Sequence, residues 1–235
     1  MKIKTSEKEV LDRFQILMND TANTPSKSDV QNFVKKNFDR EGSEFEAWEP
    51  PDWKQSPSFL TKIKDKKFLD WANHLNVLWK FLGRKIKDDV NQNPELYSLI
   101  YVPNPVIVPG GRFREFYYWD SYWIITGLLI SEMTETVRGM LENFMHIVDV
   151  YGHIPNGGRI YYVMRSNVPL LTPMVQLYYE HTKNLDFIKK HINTMEMEFH
   201  FWMNNRTVKI EKDGKHYTLA RYRERSTGPR PEAYR

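Results

Sequence analysis

The sequence contains no cysteine among its 235 residues. It therefore forms no disulfide bond and offers neither thiolate chemistry nor the cysteine ligands of a zinc finger. It also lacks an uninterrupted run of about 18 apolar residues, the length that a membrane-spanning helix requires. The first ten residues, MKIKTSEKEV, lack the apolar stretch of a secretory signal. We therefore expect no transmembrane span in this chain, and the localisation stays unknown.

Neither positive nor negative charge is concentrated in a long stretch of the sequence. Lys and Arg total 34 and Asp and Glu total 30, for a formal net charge of +4. A dedicated nucleic-acid-binding protein concentrates its basic residues in a patch or stripe, so this mixture argues against a nucleic-acid partner. Hydrophobic residues make up 40% of the chain and aromatic residues 14%, which is enough for a globular core.

The common catalytic and cofactor motifs are missing as well. There is no phosphate loop of Walker type, no dinucleotide fingerprint, no HExxH pair and no GxSxG elbow. The seven histidines are scattered along the chain, so a metal site is not expected. The remaining polar residues favour recognition of hydroxyl and carboxylate groups.

The spacing of apolar residues predicts a mainly α-helical protein. Amphipathic or continuously apolar segments predict helices over residues 6–18, 29–38, 68–82, 121–133, 134–151, 169–181 and 184–202. The last four form two pairs, each joining a more buried helix to a more amphipathic one by a short turn, as in an αα-hairpin. We expect the apolar stripes, including Met195 and Met197, to lie in the core. Residues 207–222 alternate around Asp213-Gly214 and predict one β-hairpin.

The most informative segment is 109–123, with the sequence PGGRFREFYYWDSYW. Its two glycines permit positive φ angles or a close approach to a ligand. Arg112 offers a planar fork of donors, and Trp119 with Asp120 places a flat apolar face beside an acceptor, the combination that a pyranose ring needs. So many charged side chains would destabilise a buried strand or helix. We therefore predict that this segment is a binding site.

Two further loops contain a similar set of residues. Residues 154–167, IPNGGRIYYVMRSN, combine an Asn before two glycines with arginines and tyrosines. Residues 221–235 place the pentapeptide GPRPE within a basic segment. Each loop combines an arginine, an acceptor or amide, and neighbouring aromatic residues.

These three segments resemble those of the α,α-trehalases, glycoside hydrolase family 37. PGGRFREFYYWDSYW matches every fixed position of the family pattern PGGRFxExYxWDxY, and IPNGGRIYY with its RS-containing loop and GPRPE follow in the family's order. The resemblance covers nearly the whole chain. It implies an (α/α)6 toroid of helical hairpins, incomplete in this chain, with residues 1–235 as part of a single glycosidase domain. It also implies inverting hydrolysis of trehalose to two glucose molecules, without a cofactor.

The resemblance further implies which residues contact the substrate. In chain order they are Arg112, Trp119, Asp120, Asn156, Arg165, Ser166, Asn167, Arg230, Pro231 and Glu232. Two neighbouring positions depart from the family: Asn167 replaces the usual glutamine, and Val168 replaces a proline. The shorter amide of Asn167 still donates and accepts hydrogen bonds, but it reaches one methylene less far.

The resemblance places the catalytic acid and base beyond Arg235. Inverting hydrolysis needs an acid and a base about 6.5–9.5 Å apart. In the family the acid lies in an ESGWDFSSRW-like segment after GPRPE, and the base lies further on; neither that segment nor the second family motif, QWDxPxGWxP, occurs here. We therefore interpret residues 1–235 as an N-terminal part of a trehalase without the catalytic pair. Animal trehalases are commonly secreted or membrane-anchored.

Several alternatives stay open at this point. Arg112 could form a buried ion pair, Trp119 could belong to the core, and Asn156 could serve the turn alone. Glu115 and Asp120 could form an acid–base pair. We favour instead the interpretation in which Asp120 binds the substrate and Glu115 holds an arginine in place. The function could instead be that of an inactive product that binds trehalose or associates with a trehalase, or of a helical scaffold without a sugar ligand.

Overall fold

The computed structural model describes residues 1–165, 167–222 and Gly228. The chain divides into two compact units, one of Met1–Glu46 with Ile86–Tyr101 and the other of Ala47–Lys85 with Val102–Arg235. Among the described residues the helices are α1 Glu7–Asp20, α2 Lys27–Asn37, α3 Lys66–Leu82, α4 Asp88–Gln92, α5 Asp120–Ile130, α6 Thr134–Tyr151, α7 Leu171–Thr182 and α8 Leu185–Asn205. None of them is both long enough and apolar enough to cross a bilayer.

The first unit contains the two short amphipathic helices that the sequence predicts. Helix α1 begins after Ser6, whose hydroxyl accepts a hydrogen bond from the backbone N–H of Glu9. Helix α2 begins with a capping box, in which Ser26 and Asp29 each accept a hydrogen bond from the other's backbone N–H. The short helix α4 was not predicted because five residues carry too little periodicity.

The second unit contains the predicted helical hairpins. Helix α5 leads into α6 and α7 into α8, and α6 packs against the other three. Gly152 ends α6 in the left-handed conformation with φ +73°, and the Asn184 side chain caps α8 by accepting from the N–H of Phe187 at 3.0 Å. The buried core of this region includes Ile125, Leu128, Leu129, Met140, Leu141, Phe144, Ile147, Leu171 and Met174. The predicted fold class, mainly α with helical hairpins, is confirmed.

The predicted β-hairpin is also present. Strand β4, Thr207–Lys212, pairs antiparallel with β5, Lys215–Ala220, after three short strands earlier in the chain, β1 Phe45–Ala47, β2 Gly83–Ile86 and β3 Val106–Ile107. Asp213 and Gly214 both have positive φ, 52° and 69°, as a type I′ turn requires. The strands β2 and β3 pair antiparallel. Strands of two to four residues are too short to show an alternation of apolar and polar residues in the sequence.

The expectation that the apolar stripes lie in the core was wrong for much of α3. Its side chains Phe68 and Trp71 are 63% and 61% exposed, and only Ala72 and Asn76 of this helix are buried. The stripe on α8 is likewise partly open, since Met197 is exposed. Periodicity identifies which face of a helix is apolar, but it does not show that the described part of the chain provides a partner for that face.

Candidate sugar-binding site

The first motif begins with a tight turn that its two glycines make possible. Gly110 and Phe113 exchange backbone hydrogen bonds of 3.1 and 3.0 Å, while Gly110 and Gly111 have φ angles of +100° and +59°. Arg112 lies at the tip of this turn, exposed, with its guanidinium 4.6 Å from the centre of the Phe113 ring. The alternative of a buried ion pair for Arg112 is wrong, and its donors are accessible to a ligand.

Backbone hydrogen bonds join the first motif to the second. The N–H of Tyr118 donates to the carbonyl of Asn156 at 3.0 Å, and the N–H of Gly158 donates to the carbonyl of Phe116 at 3.1 Å. A Cβ atom at Gly158 would lie 2.7 Å from Cε1 of Phe116, so this close approach needs glycine. Asn156 is thereby held beside the segment that leads into Trp119. The interloop contact uses its carbonyl oxygen and not its side-chain amide.

A buried ion pair holds the same two loops together. The carboxylate of Glu115 accepts a hydrogen bond from Nε of Arg159 and another, at 3.3 Å, from the hydroxyl of Tyr117. Burial and the neighbouring charge of Glu115 raise the pKa of Tyr117, which keeps that hydroxyl a donor. The interpretation of Glu115 as a residue that holds an arginine is confirmed, and the arginine is Arg159 of the second motif.

Trp119 and Asp120 lie where the first motif becomes helix α5. The Trp119 side chain is 47% exposed and meets Trp123 edge to face, with 5.7 Å between ring centres. The core alternative for Trp119 is therefore wrong, and its ring is open to a flat apolar ligand surface. Asp120 is the first residue of α5 and half-buried, so its carboxylate lies at the positive end of the helix dipole.

Arg165 and Asn167 lie at the end of the second motif. Arg165 is buried, and its guanidinium lies 4.9 Å from the centre of the Tyr162 ring. The Asn167 side chain accepts from the N–H of Val168 at 2.9 Å, but its amide nitrogen is buried without a partner among the described residues. An unpaired buried donor costs about 1–3 kcal/mol, so this amide suits a ligand acceptor. Ser166, Arg230, Pro231 and Glu232 lie outside the described residues.

A cavity of about 530 Å³ lies beside Asn167. Residues 167–169, the second half of α8 and the ends of the β-hairpin line it, and its polar residues include Glu198, Arg206 and Arg221. Of the sequence-predicted site residues that the structure describes, Asn167 lines this cavity, and Arg112, Trp119, Asp120, Asn156 and Arg165 do not. The structure thus brings the first and second motifs together through their backbones and places Asn167 in a neighbouring cavity.

Sequence reasoning missed a buried pair behind these loops, Tyr118 and Glu198. The Tyr118 hydroxyl donates to Oε1 of Glu198 at 2.6 Å and accepts from the N–H groups of Leu170 and Leu171, both at 2.8 Å. Burial raises the pKa of the Glu198 carboxyl to about 7, although the hydrogen bond from Tyr118 opposes the rise. The sequence offered one sign of this pair: the acid Glu198 lies four residues before Trp202, on the apolar side of α8.

His153 is a second residue that sequence reasoning missed. Its ring is buried and stacks on Phe201, with 4.3 Å between ring centres and an angle of 8° between planes. The two ring nitrogens lie 3.1 Å from the carbonyl oxygen of Tyr151 and 2.9 Å from that of Val163. The ring therefore connects the two ends of the loop that carries Asn156.

Comparison with known proteins identifies the family. The family model described as Trehalase matches residues 1–235. The chain is 56% identical over 235 residues to a trehalase of Apis mellifera, covering all of this chain and 38% of the relative. It is 50% identical over 234 residues to a trehalase of Homo sapiens, covering all of this chain and 40% of that relative.

A solved structure agrees with these relatives. Neutral trehalase Nth1 from Saccharomyces cerevisiae matches 72% of this chain and 35% of its own, with 27% sequence identity and a TM-score of 0.50. The chain thus spans about two fifths of the length of the curated relatives named above. Since the family model covers every residue, and the three motifs and the helical hairpins agree with it, the chain belongs to the trehalase family.

Proposed function

We propose that these residues form the trehalose-binding part of an α,α-trehalase, which hydrolyses trehalose to two glucose molecules with inversion and without a cofactor. The observation that carries this proposal is the backbone pairing of the two motif loops, in which Tyr118 binds Asn156 and Gly158 binds Phe116. This pairing holds Asn156 beside the segment that continues into Trp119 and Asp120.

The available side chains suit a sugar with many hydroxyl groups. The exposed Arg112 offers only donors, Asp120 when ionised offers only acceptors, and Asn156 offers both. Each sugar hydroxyl can donate one hydrogen bond and accept others, so such a set satisfies vicinal hydroxyl pairs. The exposed ring of Trp119 provides an apolar surface for the C–H face of a pyranose.

The proposed reaction needs two carboxyl groups beyond those that bind the sugar. One protonates the glycosidic oxygen as its bond to the anomeric carbon breaks, and the other takes a proton from the water that attacks that carbon from the opposite face. Glu115 is held by Arg159, so we assign it no proton transfer, and we assign Asp120 to hydroxyl binding. We propose that the acid and base come from the segments that the family resemblance places after Arg235.

Two measurements on the protein test this proposal. Calorimetry with trehalose reports binding, and proton NMR of the anomeric signals reports hydrolysis, because inversion of α,α-trehalose releases one α-glucose and one β-glucose. Asp120→Asn should weaken binding about tenfold, the loss expected when a charged hydrogen bond is removed. Asp186→Asn is the matched control, since Asp186 is exposed on α8 and pairs with Lys189. The absence of both binding and hydrolysis in the wild-type protein would overturn the proposal.

A second candidate is a catalytically inactive product that binds trehalose or associates with a trehalase. It is favoured by the engagement of Glu115 by Arg159, which holds that carboxylate in an ion pair and away from proton transfer. The same calorimetry and NMR distinguish the two candidates. Binding without release of glucose from the wild-type protein would support this candidate over the hydrolase.

A further inference from the structure

We propose that Glu198 is a positioning residue that acts through Tyr118 to hold two sugar-binding segments in one arrangement. The segments are the part of the first motif that leads to Asp120, and the stretch from Asn167 to the start of α7. The proposal rests on the proposed function, because those segments carry predicted substrate contacts.

The hydrogen-bonding capacity of the Tyr118 hydroxyl determines the direction of its bonds. A phenolic oxygen has one proton and accepts through its lone pairs. The N–H groups of Leu170 and Leu171, each at 2.8 Å, occupy the acceptor positions. The single proton is therefore directed to Oε1 of Glu198 at 2.6 Å, which must present a lone pair.

This hydroxyl takes the place of a side-chain cap at the start of α7. The residue before the helix is Leu170, which has no side-chain oxygen to accept from the first N–H groups. Tyr118 supplies that oxygen from a position 52 residues earlier in the chain. Asn167 lies three residues before Leu170, so the cap also determines where the Asn167 amide is held.

Tyr118 connects the other motif residues by its backbone. Its N–H donates to the carbonyl of Asn156 at 3.0 Å, and Asp120 follows it by two residues at the start of α5. Its ring is fully buried, with 5.5 Å between its centre and that of Phe144. Tyr118 thereby holds parts of both motifs by its backbone and the start of α7 by its side chain, and Glu198 is the group that orients its hydroxyl.

The presence of a carboxylate at position 198 supports a specific role for Glu198 as the acceptor of the Tyr118 proton. Glu198 is 3% exposed and lies on the apolar side of α8, where a leucine would pack without the desolvation cost of an acid. With leucine at this position, however, the Tyr118 proton would lose its acceptor. Glutamine would keep an oxygen acceptor of the same reach, so Glu198→Gln and Glu198→Leu separate the hydrogen bond from packing.

Hydrogen exchange of the Leu170 and Leu171 amides in the full chain tests the proposal without any sugar. Tyr118→Phe and Glu198→Leu should each speed exchange at both amides about tenfold or more, the effect of losing the partner of a buried donor. Glu198→Gln should change exchange less than about threefold, because the acceptor is retained. Tyr178→Phe is the matched control: Tyr178 is a buried tyrosine of α7 whose hydroxyl, among the described residues, accepts only a long bond, 3.5 Å, from Asn184.

The same variants are then titrated with trehalose. We expect Tyr118→Phe and Glu198→Leu to weaken trehalose binding, with Glu198→Gln and Tyr178→Phe close to wild type. Unprotected amides at Leu170 and Leu171 in the wild type, unchanged exchange in Tyr118→Phe, or equal effects of Gln and Leu at position 198 would overturn the proposal. Absence of trehalose binding by the wild type, with the exchange pattern as expected, would reject the proposed function and leave the positioning role of Glu198 standing.

Discussion

Replacing Glu198 by glutamine should make the stability of the protein less dependent on pH. The folded protein raises the pKa of this carboxyl from 4.5 to about 7, chiefly because burial penalises the charged form. Glutamine has a similar size and can accept the hydrogen bond from Tyr118, but it does not titrate. The substitution therefore removes the proton equilibrium of Glu198 with little change in packing.

The sign of the effect follows from the two pKa values. Between pH 4.5 and about 7 the folded state binds the proton of Glu198 more tightly than the unfolded state does, so the free energy of unfolding falls as the pH rises. The contribution is fully present below pH 4.5 and is lost as the pH passes 7. At about 1.36 kcal/mol per pH unit, the complete loss amounts to about 3 kcal/mol.

Urea denaturation of the wild type and Glu198→Gln at pH 5, 6, 7 and 8 measures this contribution. The variant should gain stability relative to the wild type as the pH rises, by about 2–3 kcal/mol between the two extremes. Glu180→Gln is the matched control, because Glu180 is exposed on α7 and bonds only to Gln176 among the described residues. A difference between Glu198→Gln and wild type that stays constant with pH would refute the reasoning.

Three further variants test the loops, the open apolar face of α3 and the cavity. Gly158→Ala should destabilise the protein by about 1–3 kcal/mol in thermal denaturation, because the new Cβ would lie 2.7 Å from Cε1 of Phe116. Phe68→Ser with Trp71→Ser should reduce self-association in analytical ultracentrifugation, since these exposed side chains form an apolar patch. Asn167→Gln should tighten trehalose binding about fivefold in calorimetry, because the longer amide gains the reach for one hydrogen bond.

Matched controls make these three outcomes specific. Gly228→Ala adds a Cβ with no atom of the described residues within 4 Å, Leu11→Ser removes an exposed apolar side chain from α1, and Asn193→Gln lengthens an exposed amide on α8. Equal destabilisation by both alanines would contradict the role of Gly158. A wild-type protein that is already a monodisperse monomer would contradict the association argument, and weaker trehalose binding by Asn167→Gln would contradict the reach argument.

Local chemistry explains why most helices and the β-hairpin could be predicted. The cap at Asn184, the left-handed Gly152 and the Asp213-Gly214 turn are determined by residues within a few positions of each other. The burial of α3 could not be predicted in the same way, because burial depends on a partner surface. The exposed ring of Trp71 shows that an apolar stripe alone does not identify that surface.

The motifs predicted which loops carry the candidate site, but not how the loops are held. Arg112 and Trp119 were named from local chemistry, and both side chains are exposed. The ion pair of Glu115 with Arg159 joins residues 44 positions apart, and no periodicity relates two such positions.

The bond between Tyr118 and Glu198 extends this argument to a larger separation. Its partners lie 80 residues apart, and neither residue is unusual in its own segment: Tyr118 is one of several aromatics, and Glu198 is one of several acids on an amphipathic helix. Burial makes the contact matter, because the buried phenolic proton of Tyr118 would lack an acceptor without the carboxylate. An acid on the apolar side of a helix is therefore a reason to search for a distant buried donor, and that donor can lie, as here, directly beside residues expected to bind the substrate.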